Sequence, residues 1–121
     1  MRALVLDDSR AMRSILTRTM DSLGFDVETA GDGAEGLALV QRGPLPDVVL
    51  IDWNMPVMDG LEFVTAVRDN RDWRGITLMM VTTENEHSQI VRALAAGAHE
   101  YVMKPFTLYA IGDKLRMLGL V

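Results

Sequence analysis

The sequence contains no cysteine, so it can hold neither a disulfide framework nor a thiol-based site. It has no apolar run near the roughly 18 residues of a membrane span, and its N-terminus lacks the apolar core of a signal peptide. Acidic residues outnumber basic ones by 17 to 12, and this net charge of −5 disfavours nucleic acid as a partner. Glycine-rich nucleotide-binding loops are also missing. We therefore expect a cytoplasmic protein that contacts neither membrane nor nucleic acid.

What is present is a globular composition on a chain of one domain's length. Hydrophobic residues make up 49% and charged residues 24% of the 121 positions, which provides enough apolar material for a single domain core. No internal repeat, low-complexity stretch or linker divides the chain. We expect one domain over residues 1–121, with no output domain after it.

Short apolar runs alternate with amphipathic segments of helix length. The second run is rich in polar residues and is typical of a strand at the edge of a sheet. Strands that are separated by crossover helices pair in parallel, which predicts a (βα)5 three-layer α/β sandwich around a parallel sheet. The predicted strands are Arg2–Leu6, Asp26–Ala30, Val48–Ile51, Ile76–Val81 and Tyr101–Met103.

Polar side chains stand where the apolar runs of four predicted strands stop. Parallel strands end on the same edge of a sheet, and in open α/β sheets this carboxyl edge is where ligands bind. We therefore expect these side chains to converge on one rim, although they are scattered over almost the whole chain. They are Asp7, Asp8, Asp52, Thr82 and Lys104.

The three carboxylates of this set point to a metal ion. Placed within a few ångströms, they repel one another unless a cation joins them. The candidate ligands are all oxygens, and His87 and His99 fit no metal-ligand spacing, so the pattern favours Mg²⁺. A carboxylate beside Mg²⁺ can attack phosphorus and form an aspartyl-phosphate. The charge of the phosphoryl oxygens could then be neutralised by Mg²⁺, the Lys104 ammonium and the Thr82 hydroxyl.

Four segments together carry a resemblance to a known family. They are Leu6–Ser9 with its acidic pair, Asp52–Gly60, Val81–Thr82 and Tyr101–Phe106. In this order and spacing they resemble the receiver domain of two-component response regulators, most of all the stand-alone receivers of chemotaxis, over essentially the full length. The resemblance implies the flavodoxin-like strand order 2-1-3-4-5. It also implies a signalling protein and not an enzyme with an external substrate.

The resemblance gives a role to each rim residue. Asp52 would be the phosphoacceptor and a ligand of Mg²⁺. Asp8 would bind Mg²⁺ directly, Asp7 largely through water, and Asn54 through its backbone carbonyl. Lys104 would pair with Asp52 at rest and with a phosphoryl oxygen after phosphorylation.

The resemblance further implies a conformational switch. Thr82 would move to bond the phosphoryl group and Tyr101 would swing inward behind it, so that the fourth helix, fifth strand and fifth helix present a new face. Asn54 and Glu84 would tune how fast water attacks the acyl phosphate. The Lys104–Pro105 peptide bond would be cis.

These implications define the expected partners. A histidine kinase, a phosphotransfer protein or a small-molecule phosphodonor would phosphorylate the chain. The switched face would then bind a protein target in chemotaxis or a phosphorelay, with the chain acting as a monomer or a weak phosphorylation-dependent dimer. Trp53, expected to be exposed next to the site, would report on these events.

Three alternatives stay open. The chain could be the receiver fragment of a longer multi-domain regulator. It could be a Mg²⁺-dependent phosphohydrolase with an aspartyl nucleophile, although such enzymes usually have a cap domain and a carboxylate two residues after the nucleophile, where this chain has Asn54. It could also be a constitutive interaction domain, against which the complete set of rim residues argues.

Overall fold

The computed structural model describes residues 1–83 and 87–121, and strands alternate with helices along them. The strands are β1 (Arg2–Leu6), β2 (Asp26–Ala30), β3 (Val48–Asp52), β4 (Thr77–Thr82) and β5 (Glu100–Met103). The α-helices are α1 (Arg10–Ser22), α2 (Gly33–Arg42), α3 (Gly60–Asp69), α4 (His87–Ala96) and α5 (Leu108–Met117). A 3-10 turn at Arg71–Trp73 precedes β4. None of the described helices is both long and apolar enough to span a membrane.

The strands form one parallel sheet in the order β2-β1-β3-β4-β5, which confirms the predicted fold. β3 lies in the middle and is buried at every position, as a strand covered on both faces should be. β2 forms one edge and exposes the polar side chains of Asp26 and Thr29. Since all strands run in the same direction, their carboxyl ends meet at one rim.

Side chains on the two faces of the sheet form two separate cores, because successive residues of a strand point to opposite faces. Leu4 and Leu6 belong to a core that α2, α3 and α4 cover, in which Phe63 is fully buried. Ala3 and Val5 belong to a core that α1 and α5 cover. Burying one large apolar side chain stabilises a fold by about 1.5–3 kcal/mol, so both cores hold the strands firmly in place.

Side-chain caps fix the helix starts near the rim. Ser9 Oγ accepts a hydrogen bond from the backbone N–H of Met12 at 3.2 Å and caps α1. Asp59 and Glu62 form a reciprocal capping box at the start of α3, with hydrogen bonds of 2.8 and 3.1 Å. Loss of such a cap costs about 1 kcal/mol, so each cap contributes to the position of the loop before its helix.

Only half of a capping box forms at the start of α2. Asp32 accepts a hydrogen bond from the Glu35 backbone N–H at 2.8 Å. The Glu35 carboxylate instead accepts from the backbone N–H of Gly31, at 3.3 Å, and not from that of Asp32. Glu35 therefore holds the turn one residue earlier than it would in a reciprocal capping box.

Two strands extend one residue further at their carboxyl ends than predicted. β3 includes Asp52 and β4 includes Thr82, because Asp52 pairs in register with Val81, and Thr82 with Met103. The functional side chains of Asp52 and Thr82 therefore stand on paired strand ends and not in loops. Side chains on strands are held more precisely than side chains on loops.

Candidate functional site

Every polar group of Asp7 has a hydrogen-bond partner. It follows β1 and is only 1% exposed. Its backbone N–H donates to Ala30 O at 3.2 Å, and one carboxylate oxygen accepts from the Ser9 N–H at 2.8 Å. The other carboxylate oxygen accepts from Lys104 Nζ at 3.2 Å, and its backbone carbonyl accepts from Arg13 Nη1 at 2.8 Å. Four different contacts therefore fix this residue.

Lys104 bridges the two buried carboxylates. Its Nζ lies 3.1 Å from Asp52 Oδ1 and 3.2 Å from Asp7 Oδ2. Its backbone N–H donates to Thr82 O, and the Lys104–Pro105 peptide bond is cis. Lys104, which follows β5, thus lies beside Asp7 after β1 and Asp52 at the end of β3. This is the convergence on one rim that the sequence predicted.

Asp7, Asp8 and Asp52 form an acidic cluster in which one oxygen from each carboxylate lies within 4.8 Å of the others. Asp7 and Asp52 are buried, whereas Asp8 is exposed to solvent. The set consists of oxygens only, and it is open to water on the Asp8 side. These properties fit Mg²⁺, which binds oxygen ligands at about 2.0–2.1 Å and keeps several waters.

The electrostatics of the cluster favour a further positive charge. Burial and the neighbouring Asp7 carboxylate raise the pKa of Asp52 to about 6, although Lys104 acts in the opposite direction. Burial on its own would lower the pKa of Lys104, but the attraction of Asp52 and Asp7 outweighs it and raises that pKa. Lys104 therefore stays an ammonium, and this one charge is not enough to offset the burial and mutual repulsion of the carboxylates.

The Thr82 hydroxyl has no hydrogen-bond partner in the part of the chain that the structure describes. The residue is fully buried, and among residues 1–83 and 87–121 no group hydrogen-bonds its Oγ1. Burying an unsatisfied polar group costs about 1–3 kcal/mol, so the hydroxyl is available to a ligand or group that arrives beside it. Its backbone carbonyl already binds the Lys104 N–H, which places Thr82 next to the lysine in the fold.

Tyr101 lies away from the acidic cluster but on the same face of the sheet as Thr82. It pairs in register with Met80, two residues before Thr82, and it packs against the core under α4. The ring is half-buried, and Lys114 Nζ lies 5.3 Å from its centroid. Tyr101 is therefore placed between the core and α5.

The faces of α4 and α5 beside Tyr101 expose apolar side chains. Three aliphatic side chains and one tyrosine on these two helices are exposed, and the tyrosine is 75% exposed. Exposed apolar groups of this kind mark protein contact sites when they occur together. The residues are Val91, Leu94, Leu108 and Tyr109.

Trp53 was predicted to be exposed, and this is wrong. It is only 5% exposed and belongs to the core that contains Phe63. The backbone N–H of Gly60 donates to Trp53 O at 2.9 Å, which folds the start of α3 back over the end of β3. A Cβ on Gly60 would lie 2.6 Å from Asp52 O, so only glycine permits this close approach.

The remaining predicted site residues have different outcomes. Asn54 follows Trp53 in the loop after β3 and is exposed near the rim. Glu84 lies outside the described residues. Arg13, which contacts the Asp7 carbonyl, was not predicted, because nothing in the sequence distinguishes it from the other arginines of α1.

The comparisons with known proteins agree with this geometry. Residues 3–116 match the response regulator receiver domain. The chain belongs to this family. A chemotaxis protein CheY homolog of Campylobacter jejuni is 40% identical over 116 residues, which cover 95% of this chain and 89% of that protein. CheY1 of Helicobacter pylori is 38% identical over 119 residues, covering 98% and 96%. The solved structure of the chemotaxis response regulator CheY4 of Vibrio cholerae matches with a TM-score of 0.88 and 37% identity over 97% of each chain.

Membership in the receiver family confirms two expectations. The flavodoxin-like fold is that of CheY, and the chain is a receiver of two-component signalling and not a classical enzyme. Receivers bind Mg²⁺ at an acidic aspartate cluster, and this receiver brings Asp7, Asp8 and Asp52 together in such a cluster.

Proposed function

We propose that this receiver accepts a phosphoryl group on Asp52 and changes its partner-binding face in response. The observation that carries the proposal is the Lys104 ammonium, which lies 3.1 Å from Asp52 inside a cluster of three carboxylates. Asp52 is a buried member of the cluster at the end of the central strand, and the Lys104 ammonium beside it suits an oxygen that attacks phosphorus.

The transfer needs little beyond positioning and charge. One Asp52 carboxylate oxygen attacks the phosphorus of a phosphohistidine or of an acyl phosphate. The P–O bond to Asp52 forms as the bond to the leaving group breaks, and the leaving group departs with the electron pair. Lys104 stays within reach of the phosphoryl oxygens throughout, because its backbone is anchored to Thr82 O and its ammonium already contacts Asp52.

Bound Mg²⁺ would supply the additional positive charge that the phosphoryl oxygens require. The carboxylates of Asp8 and Asp52 and the backbone carbonyl of Asn54 would hold it. Asp7 would act through water, since both of its carboxylate oxygens already accept hydrogen bonds from Ser9 and Lys104.

The signal would leave the site through Thr82 and Tyr101. A phosphoryl oxygen would offer the unpartnered Thr82 hydroxyl its missing hydrogen bond, which favours the conformer in which the hydroxyl has moved toward Asp52. That movement would free space on the Thr82 face of the sheet for the half-buried Tyr101 ring. The exposed apolar face of α4 and α5 would then bind a protein target.

We further propose that the pathway is chemotaxis or a related phosphorelay, with a histidine kinase or phosphotransfer protein upstream. The proposal follows the two curated relatives, both of which are chemotaxis proteins. Asn54 and Glu84 would set the rate at which water removes the phosphoryl group. The phosphohydrolase alternative is weaker, because Asn54 offers no general acid two residues after Asp52.

Tryptophan fluorescence tests this function. Trp53 directly follows Asp52, and a Trp73→Phe background removes the other tryptophan of the chain. We expect Mg²⁺ to change the Trp53 emission and acetyl phosphate to add a second change that decays as the phosphodonor is consumed. Asp52→Asn should abolish the second change. An equal response to acetyl phosphate in wild type and Asp52→Asn would contradict the proposal.

A further inference from the structure

Arg13 lies beside the acidic cluster and makes a contact that the proposed chemistry has not used. It stands in the second turn of α1, where its backbone N–H donates to Ser9 O at 2.9 Å. Its guanidinium reaches back along the helix, and Nη1 donates to the backbone carbonyl of Asp7 at 2.8 Å. A Cβ on Gly31 would lie 3.4 Å from the same nitrogen, so the turn after β2 packs against this guanidinium.

The carbonyl that Arg13 holds belongs to the peptide between the two acidic residues of the β1–α1 turn. The pairing of β1 with β2 and β3 ends at Leu6, so no strand is in register with Asp7. The other polar groups of Asp7 also have partners. Its N–H donates to Ala30 O, and its two carboxylate oxygens accept from the Ser9 N–H and from Lys104 Nζ. Arg13 completes this set. The Asp7–Asp8 peptide therefore has a fixed orientation.

This orientation matters most for Asp8. Its side chain is exposed, so the direction in which its carboxylate points depends on the backbone that carries it. Mg²⁺ demands near-octahedral geometry and tolerates misplaced ligands poorly. Groups that orient metal ligands from outside typically change metal affinity by about 10–100-fold when they are removed.

We propose that Arg13 is a positioning residue for the divalent cation, and that it acts by clamping the Asp7 carbonyl so that Asp7 and Asp8 face the metal together. The proposal rests on the proposed function of the cluster. The predicted effect on Mg²⁺ affinity is opposite to that of charge alone. A guanidinium close to an acidic cluster repels a second cation, so loss of its charge alone would tighten Mg²⁺ binding. Loss of positioning weakens Mg²⁺ binding and loss of charge tightens it, so a measured affinity distinguishes the two effects.

The test compares Arg13→Met with Arg10→Met in the full chain. Arg10 is the first residue of the same helix, is exposed, and carries the same charge near the same rim. Mg²⁺ affinity is measured by titration with MgCl₂, followed by tryptophan emission and by calorimetry. We expect Arg13→Met to weaken Mg²⁺ binding about 10-fold. Arg10→Met should leave the affinity unchanged or tighten it slightly, and Arg13→Lys should restore most of it, since a lysine can still donate to the carbonyl.

Urea unfolding in EDTA separates positioning from a general loss of structure. If Arg13 only supported the fold, Arg13→Met would lower the free energy of unfolding in EDTA. The Mg²⁺ dissociation constant of the folded protein would then stay as in wild type. If Arg13→Met does not fold, Arg13→Leu, which also lacks a hydrogen-bond donor, takes its place with the same expected direction. The inference is overturned if the folded variant binds Mg²⁺ as tightly as wild type or more tightly. If wild type itself does not bind Mg²⁺, the proposed function falls together with it.

Discussion

Replacing the buried Asp52 by asparagine should stabilise the metal-free protein at neutral pH. The pKa of this carboxyl rises from 3.8 to about 6, because it is buried beside Asp7. Since each pKa unit corresponds to about 1.36 kcal/mol, ionising Asp52 costs the native state at most about 3 kcal/mol. This cost already includes the attraction of Lys104, but the buried asparagine amide offsets part of the gain wherever its N–H groups lack acceptors. We therefore expect a net gain of about 1–2 kcal/mol in the free energy of unfolding at pH 8.

The sign of the pH dependence makes this prediction specific. The folded protein binds the Asp52 proton more tightly than the unfolded chain, so this carboxyl lowers stability as pH rises from 3.8 through about 6. Below that range the carboxyl is protonated in both states and its cost disappears. The advantage of Asp52→Asn should therefore be largest above pH 7 and shrink to a small fraction of that value near pH 4.

Urea unfolding followed by far-UV circular dichroism, in EDTA between pH 4 and 8, measures both quantities. Asp26→Asn is the matched control, because it removes the same charge from an exposed side chain at the sheet edge. It should change stability little at any pH. Adding Mg²⁺ should stabilise wild type more than Asp52→Asn and so narrow their difference. The reasoning would be refuted if Asp52→Asn were less stable than wild type at pH 8. It would also be refuted if the difference in the free energy of unfolding were the same at every pH.

Three further substitutions test other parts of the site by the same unfolding assay. Lys104→Met leaves Asp7 and Asp52 without their ammonium partner and should lower the free energy of unfolding by about 2–3 kcal/mol at pH 8. An unchanged free energy of unfolding would show that the fold does not need this pairing. Thr82→Val removes an unpartnered hydroxyl and should keep stability within about 1 kcal/mol of wild type while weakening the response to acetyl phosphate; a larger loss would mean that the hydroxyl is bonded. Val57→Gly should stabilise the fold by about 1 kcal/mol, because a β-branched residue at a φ of 68° is strained; a loss would mean that Val57 makes contacts that offset the strain.

Much of the fold was predictable because hydrophobic periodicity and helix signals agree along the chain. The strand at Asp26–Ala30 was identified as an edge from its polar residues, and it forms the edge of the sheet. The convergence of Asp7, Asp52 and Lys104 followed from one rule, that parallel strands end on the same edge. These features depend on local pattern and on topology alone.

The rest could not be predicted because it depends on tertiary contacts. Trp53 adjoins a polar residue in sequence, yet α3 folds back over it because Gly60 allows close approach. The carboxylate of Glu35 accepts from the Gly31 N–H and not from that of the cap residue, which depends on how the turn after β2 folds. Arg13 acquires its contact only when α1 is docked on the sheet. Contacts between side chains and distant backbone groups produce no periodic pattern in a sequence.

Intact-mass spectrometry tests the central claim most directly. The receiver is incubated with acetyl phosphate and MgCl₂, and the mass of wild type is compared with that of Asp52→Asn and of a sample held in EDTA. We predict that wild type gains one phosphoryl group, that fragmentation places it on Asp52, and that both comparison samples gain none. A phosphoryl group that persists in Asp52→Asn, or no mass gain in wild type, would contradict the account.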